Sequence, residues 1–261
     1  MEDPDYVSRR SIMAIRFLWN NLADAATLTV SSESADFPAV NLKDRRYKIH
    51  HRTTGVTSEW WKWNLGEAKD IYAFLFWYHN FQSGATIKIQ ANSSDLWDAP
   101  AFEETLTWST FKLVKYFSSV KTYQWWRLWV QDAGNPDGYL RGGRPFLGGF
   151  FEPSRNFHKD WKRAIVDFSD IEYSSGGQAF ANEKDVYYRF DLSFPSILTP
   201  DDATFDTIGK TVARKKAFFI TINPSDPVNS TYYVHSLSDW ELKHVFGGKT
   251  YQLDLSLREE L

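Results

Sequence analysis

The chain has 261 residues, a formal net charge of −3, no cysteine, and 20 Phe, 13 Tyr and 12 Trp. That length suits one large or two ordinary domains, each able to bury a core. The absence of cysteine excludes disulfides, thiolate catalysis and cysteine-ligated metals, and without a long Lys/Arg run nucleic acid is not expected as a specific ligand.

Residues 1–12 are polar and charged, which predicts a mobile lead-in with no basic-then-apolar leader pattern. A first strand is expected over residues 14–19 and a second over the alternating residues 26–32. Phe37-Pro38-Ala39-Val40-Asn41-Leu42 and the charged residues 43–46 read as irregular. A loop around Arg52-Thr53-Thr54-Gly55 leads into a strand over residues 60–65, where Trp61, Trp63 and Leu65 share one face and Trp60 takes the other. Gly66 and the charges after it are expected to end that strand. The next strand, residues 71–78, is the longest apolar run and far too short to span a membrane.

Residues 86–91 alternate cleanly, with Ile87 and Ile89 on one face and Lys88 and Gln90 on the other. A long irregular connection over residues 92–107 carries Trp97, and Trp108 follows it. A strand near residues 111–114 precedes another over 123–130, in which Trp126, Leu128 and Val130 oppose Trp125, Arg127 and Trp129. Trp61, Trp63, Leu65, Ile87, Ile89, Trp126 and Leu128 are therefore assigned to a core. Trp60, Trp125 and Trp129 are candidates for an exposed platform or an interdomain contact. Trp97 and Trp108 are candidate ligand contacts, because an exposed loop tryptophan is costly unless it is used.

Glycines cluster over residues 134–150, predicting a linker or interface loop at a domain boundary. Beyond it, strands near 163–173 and 185–194 form a long hairpin about Gly176-Gly177. A short helix over 200–209 places Phe205 and Ile208 on one face and ends at Gly209. Strands follow near 217–222, 232–235, 238–245 and 250–257, the last two joined by Gly247-Gly248. The expected fold is all-β, an antiparallel sandwich followed by a barrel-like domain.

No GxGxxG, P-loop, HExxH or GxSxG pattern occurs. His50 and His51 are adjacent, so in a strand they point to opposite faces and do not share a metal; they read as surface or loop histidines. Asp201, Asp202 and Asp206 decorate a helix start. No catalytic residue, metal or cofactor is expected.

The order and spacing of several pieces resemble the discoidin-like, galactose-binding-like family. They are Ser31-Ser32, Phe37 to Leu42 with Asp44, the Arg52 loop, Trp60-Trp61-Lys62-Trp63-Asn64-Leu65-Gly66, the run from Ile87 through Ser94-Asp95-Leu96-Trp97, and Tyr123-Gln124-Trp125-Trp126-Arg127-Leu128. The resemblance implies an eight-stranded jelly roll over residues 13–133 whose end loops bind carbohydrate in many members. Arg52, Asp95, Trp97 and Trp108 are then the candidate carbohydrate contacts. Asn64 departs from the acid common before Leu-Gly, and the calcium of some relatives is not carried over.

The whole chain also resembles tail-tip proteins of tailed bacteriophages and gene-transfer particles. The opening Phe17 to Asp24, running into Ala26 to Thr29, carries this for the first half. For residues 151–261 it rests on the Gly176-Gly177 hairpin, the short helix and Phe218-Phe219-Ile220. This implies a distal tail or baseplate protein in a virion, made in the host cytoplasm. It would form a ring, expected to be hexameric, with tail-tube and hub or baseplate proteins as neighbours and a host-surface glycan as ligand. Tyr187, Arg189 and Phe219 are the interface candidates. The alternative is a free carbohydrate-binding or adhesion protein.

Overall fold

The computed structural model describes residues 14–246 and 250–261; the lead-in at 1–12 and the Gly247-Gly248 turn lie outside them. In chain order the strands begin with β1 (Arg16–Leu18), β2 (Thr27–Val30), β3 (His51–Arg52), β4 (Glu59–Trp77), β5 (Thr86–Asn92) and β6 (Phe102–Thr105). Next come β7 (Lys112–Gln131), β8 (Arg141–Gly142), β9 (Arg144–Gly148), β10 (Lys162–Asp167), β11 (Asp170–Tyr173), β12 (Ala179–Asn182) and β13 (Val186–Leu198). Helix α1 (Asp201–Val212) precedes β14 (Phe218–Thr221), β15 (Thr231–Ser236), β16 (Lys243–Phe246) and β17 (Thr250–Glu259). The chain forms two units, one built from Asn20–Phe150 with Asp226–Asn229, the other from the segment ending at Trp19 together with Phe151–Ser225 and Ser230–Leu261.

The first unit is a jelly-roll-like sandwich whose main sheet runs β2-β4-β7-β5-β6, with β9 also pairing β4. Where two strands are expected either side of Gly66, the chain keeps one strand of 19 residues. Its register with β7 breaks between Asn64 and Lys69 and again between Ile71 and Ala73, and Gly66 takes φ +83°. Such irregularities bend a strand without ending it. The two halves of β4 consequently face each other across the core, with Trp61 and Phe76 ring centroids 5.1 Å apart and Trp63 and Phe74 6.2 Å apart. Likewise β7 is one strand of 20 residues, not two. Trp61, Trp63, Ile87, Ile89, Trp126 and Leu128 are buried, and Leu65 packs half-buried against them.

Residues 134–150 are not a linker. They carry β8, which pairs β3, and β9, which extends the sheet along the second half of β4. Glycine is required here for close approach. A Cβ on Gly142 would lie 2.2 Å from the Phe76 ring, and one on Gly143 would lie 2.3 Å from the Tyr47 carbonyl oxygen.

The second unit is barrel-like, with strand order β1-β14-β15-β17-β13-β10 and β16 added to β17. The first strand thus belongs here and not to the sandwich, contrary to a sandwich over 13–133. The reason is Phe17, which is fully buried among Phe151, Phe194, Phe205, Phe218 and Trp240. The long hairpin has two stages, β10 on β13 and then β11 on β12. Helix α1 buries Phe205, Ile208, Gly209 and Val212, so Gly209 does not stop it. That glycine faces Trp240, whose Cβ would meet an added methyl at 2.9 Å.

Phe219 is buried against Tyr233, with centroids 4.6 Å apart, and is unsuited to an interface. Tyr187 packs on Phe168 at 4.8 Å beneath the Arg258 guanidinium, while Arg189 is exposed, 3.4 Å from Asp191. No helix among the described residues is long and apolar enough to cross a membrane.

Candidate functional site

Aromatic and polar side chains converge in the sandwich where β3 meets β8. Adjacent strand residues point to opposite faces, so His51 turns inward while His50 turns into the loops. His50 stacks on Phe37 at 4.8 Å and meets the Tyr78 ring edge-on at 5.6 Å. The Arg52 guanidinium lies 3.7 Å from the Phe37 centroid and 4.5 Å from that of Tyr139. Arg141, paired with Arg52 across the two strands, covers Tyr78 at 4.2 Å. Phe37, Arg52, Tyr78, Tyr139 and Arg141 are all half-buried, so each keeps part of its surface exposed.

Hydrogen bonds lock this arrangement. Asn80 accepts from the Arg141 backbone N–H at 2.7 Å and donates to the Asp137 carboxylate and the Tyr139 carbonyl at 2.8 and 3.0 Å. Tyr78 and Phe111 hold positive φ of 62° and 76°, and their rings meet at 5.5 Å. Non-glycine residues in that region cost on the order of 1 kcal/mol each and cluster where geometry is imposed by function.

Guanidinium groups only donate, so the Arg52 Nε–H at 2.9 Å requires His50 Nε2 to accept, leaving the proton on Nδ1 to meet the Lys48 carbonyl at 2.7 Å. That neutral tautomer is reinforced electrostatically. Burial lowers the His50 pKa first, and the Arg52 and Arg141 charges lower it further, against the Lys48 hydrogen bond. His51 is also neutral: its Nδ1 accepts from the Trp61 indole at 2.9 Å and its Nε2 donates to the Ser32 carbonyl at 3.1 Å. Burial pushes it down to about 4. Both histidines are therefore buried, where the sequence reading placed them at the surface. The hydrogen-bonding capacity of a neutral imidazole, met on both nitrogens, is what allows it.

No protein-family model matches the chain. No curated protein sequence matches it either. Solved structures resemble about half of the chain. The lectin domain of lectinolysin, complexed with Lewis b antigen, is 12% identical and covers 52% of this chain and 98% of its own, with a TM-score of 0.41. Chitosan-binding module 2 of a Paenibacillus sp. IK-5 chitosanase/glucanase, in complex with chitotriose, is 17% identical over 49% of this chain and 100% of its own, at 0.40. The family 32 carbohydrate-binding module of C. perfringens NanJ, in complex with galactose, is 13% identical over 51% and 98%, also at 0.40. At these scores the likeness carries no ligand and no residue role across to this chain.

The four residues expected to touch carbohydrate are not one site. Arg52 alone lies in the loop-end cluster. Asp95 and Trp97 join a network on the outer face of the main sheet. Asp95 accepts from the Lys62 ammonium at 2.7 and 2.8 Å and from the Trp97 indole at 2.6 Å. Burial would raise its pKa, yet the hydrogen bonds from Lys62 and Trp97 outweigh it and hold the carboxyl below its usual value. Arg127 covers Trp97 at 4.4 Å and donates to Gln90, which donates to Glu103, itself paired with Lys88. Trp60 and Trp125 flank Lys62 at 5.0 and 5.4 Å. The carboxylates of Asp95 and Glu103 are both paired within this network, and Arg127 is held by the Trp97 ring and Gln90.

Trp108 is structural. Its indole N–H donates to the Phe81 carbonyl at 2.7 Å and its ring packs against the core. The cluster residues that the sequence reading did not single out as ligand contacts are Phe37, His50, Tyr78, Tyr139 and Arg141. The signals were a His-His pair before Arg52 and two arginines flanking Gly142-Gly143. Their meaning depends on β3 pairing β8 across almost ninety residues of chain.

In the second unit a groove of about 460 Å³ is lined by His158, Asp160, Trp161, Asp191, Asp254 and Ser256, among others. There the Asp191 carboxylate accepts from the Ser256 hydroxyl at 2.7 Å and lies 3.4 Å from the Arg189 guanidinium. No group of three or more His, Asp or Glu able to hold a metal occurs among the described residues.

Proposed function

We propose that the sandwich is a saccharide-binding module and that its site is the Phe37–His50–Arg52–Tyr78–Tyr139–Arg141 cluster. The observation that carries this reading is the convergence, at one loop cluster, of part-exposed aromatic rings with fixed polar donors. A flat ring covers the apolar face of a pyranose, and directional donors and acceptors select its hydroxyls. The supports are internal: Arg52 and Arg141 are braced by aromatic rings, and Asn80 ties the 137–141 loop to the 78–80 turn.

Binding of the full chain to immobilised glycans tests it. Phe37→Ala and Tyr139→Ala are expected to weaken binding about tenfold each, a loss of about 1.4 kcal/mol, with unchanged thermal midpoints. Replacement of Trp61 is no test, since emptying its buried site costs about 3–5 kcal/mol and unfolds the module. If the full chain binds none of a broad glycan panel, or the two variants bind like wild type, the reading falls.

A second reading, self-association in a phage tail tip, is favoured by one observation. The β11–β12 hairpin exposes Ile171, Tyr173 and Phe180, at 57%, 70% and 58%. On this reading the chain is a ring component of a virion, and the sandwich presents its saccharide site at the tail end. A mass that rises with concentration supports it, and a monomer at all concentrations counts against it.

A further inference from the structure

We propose that the saccharide bound at the loop-end site is anionic, and that its carboxylate or sulfate group is held by Arg52 and Arg141 together. This rests on the saccharide-binding reading and names the class of sugar within it.

The two arginines are register partners on β3 and β8. Like charges directly opposite on paired strands repel, so a fold gains nothing by placing them there. Arg16, Arg46, Arg144 and Arg189 each meet a carboxylate, whereas Arg127, Arg163 and Arg258 lie over aromatic rings; Arg52 and Arg141 combine aromatic bracing with a like charge opposite them on a paired strand. For Arg52 and Arg141, no carboxylate among the described residues lies within ion-pair distance. The nearby acids are committed elsewhere: Asp137 accepts from Asn80, Asp44 pairs with Arg46, and Glu33 accepts from the Ala39 backbone N–H. What braces the guanidiniums instead is aromatic: Phe37 and Tyr139 around Arg52, Tyr78 under Arg141.

Stacking leaves the in-plane N–H edge of a guanidinium available, and that edge matches the spacing of carboxylate or sulfate oxygens. The Nε–H groups are not that edge: the one on Arg52 is spent on His50, and the one on Arg141 is buried without a hydrogen-bond partner among the described residues, so the terminal NH2 groups are the ones that take the anion. His50, kept neutral beside two cations, adds an apolar ring without competing for the anion. The part-exposed Phe37 and Tyr139 rings beside Arg52 offer the pyranose an apolar surface. One cluster therefore supplies both parts of an acidic sugar's recognition.

The test uses the full chain and matched pairs of ligand. Oligogalacturonide is compared with its methyl ester, and sulfated galactan with its desulfated form, each by calorimetry at low and high salt. Sodium sulfate alone is the third arm. The expected result is at least a tenfold loss of affinity when the anion of one pair is removed, a similar loss in Arg141→Gln and Arg52→Gln, a smaller loss in Arg141→Lys, which keeps the charge but not the planar edge, and weakening by salt. The pair that shows the loss identifies carboxylate or sulfate as the group. Equal affinity for charged and neutral members overturns the proposal and leaves the saccharide reading standing. Sulfate binding as tightly as the sulfated sugar overturns it as well, since the site is then an anion site only. Binding to no saccharide overturns both. The comparison on unmodified protein decides the question even where an arginine variant fails to fold.

Discussion

At the scale of single residues, His51 shows how one side chain links core stability to solution conditions. Its imidazole is fully buried, with both nitrogens engaged by Trp61 and Ser32, and burial holds it down to about 4. His79, buried beside Phe81 at 4.4 Å, is held to about 4 for the same first cause. Unfolded histidines protonate near pH 6.5. Between there and pH 4 the unfolded chain binds more protons than the folded one, so stability falls as pH falls. Each histidine accounts for on the order of 3 kcal/mol across that window. The urea midpoint is expected to drop between about pH 7 and about pH 4.5, and His51→Gln is expected to flatten part of the slope. A midpoint that stays constant over this range contradicts the assignment. The residue pattern around His51 was only half readable: alternation puts His50 and His51 on opposite faces, but nothing local says that one face is a core and the other a cluster of aromatic rings.

At the scale of elements, periodicity identifies strands better than it identifies their ends. The alternation of Trp61 and Trp63, and of Trp126 and Leu128, puts these side chains on one face, and all four are buried. Gly66 and the charges that follow read as a strand end. Instead the backbone bends there and continues, because the second half of β4 must pair both β7 and β9 to cover its polar groups. The β11–β12 hairpin is the opposite case: all eight of its paired residues are exposed. Two-stranded ribbons are marginal by themselves, and open edges invite another strand. If the hairpin is a self-association device, Ile171→Asp combined with Phe180→Asp abolishes any concentration-dependent mass seen by sedimentation while the thermal midpoint holds. Association that survives the double variant places the contact elsewhere.

At the scale of the whole molecule, the path of the chain decides which pieces fold alone. Because β1 pairs β14, the second unit takes a strand from the start of the sequence and closes around it after residue 150. A fragment of residues 20–150 keeps every strand of the sandwich. A fragment of residues 151–261 lacks Phe17, the residue at the centre of its aromatic core. The first is expected to fold cooperatively. The second is expected to lose at least the 3–5 kcal/mol typical of an emptied aromatic site, and to recover when residues 14–19 are supplied as a peptide. Circular dichroism and thermal melting of the two fragments check this; a stable 151–261 fragment refutes it.

The sequence by itself determined the all-β class, the strand faces and the inward tryptophans, because those depend on an alternation that reads along a few residues. It did not determine which unit owns the first strand, whether the glycines over 134–150 were hinge or packing, or which polar side chains meet. Those were decided by pairing between distant segments: β1 with β14, β9 with β4, and β3 with β8. The loop-end cluster exists only because the last of these pairings sets Arg52 opposite Arg141. Long-range strand pairing brings together side chains that no local spacing connects, and the candidate site is built from them.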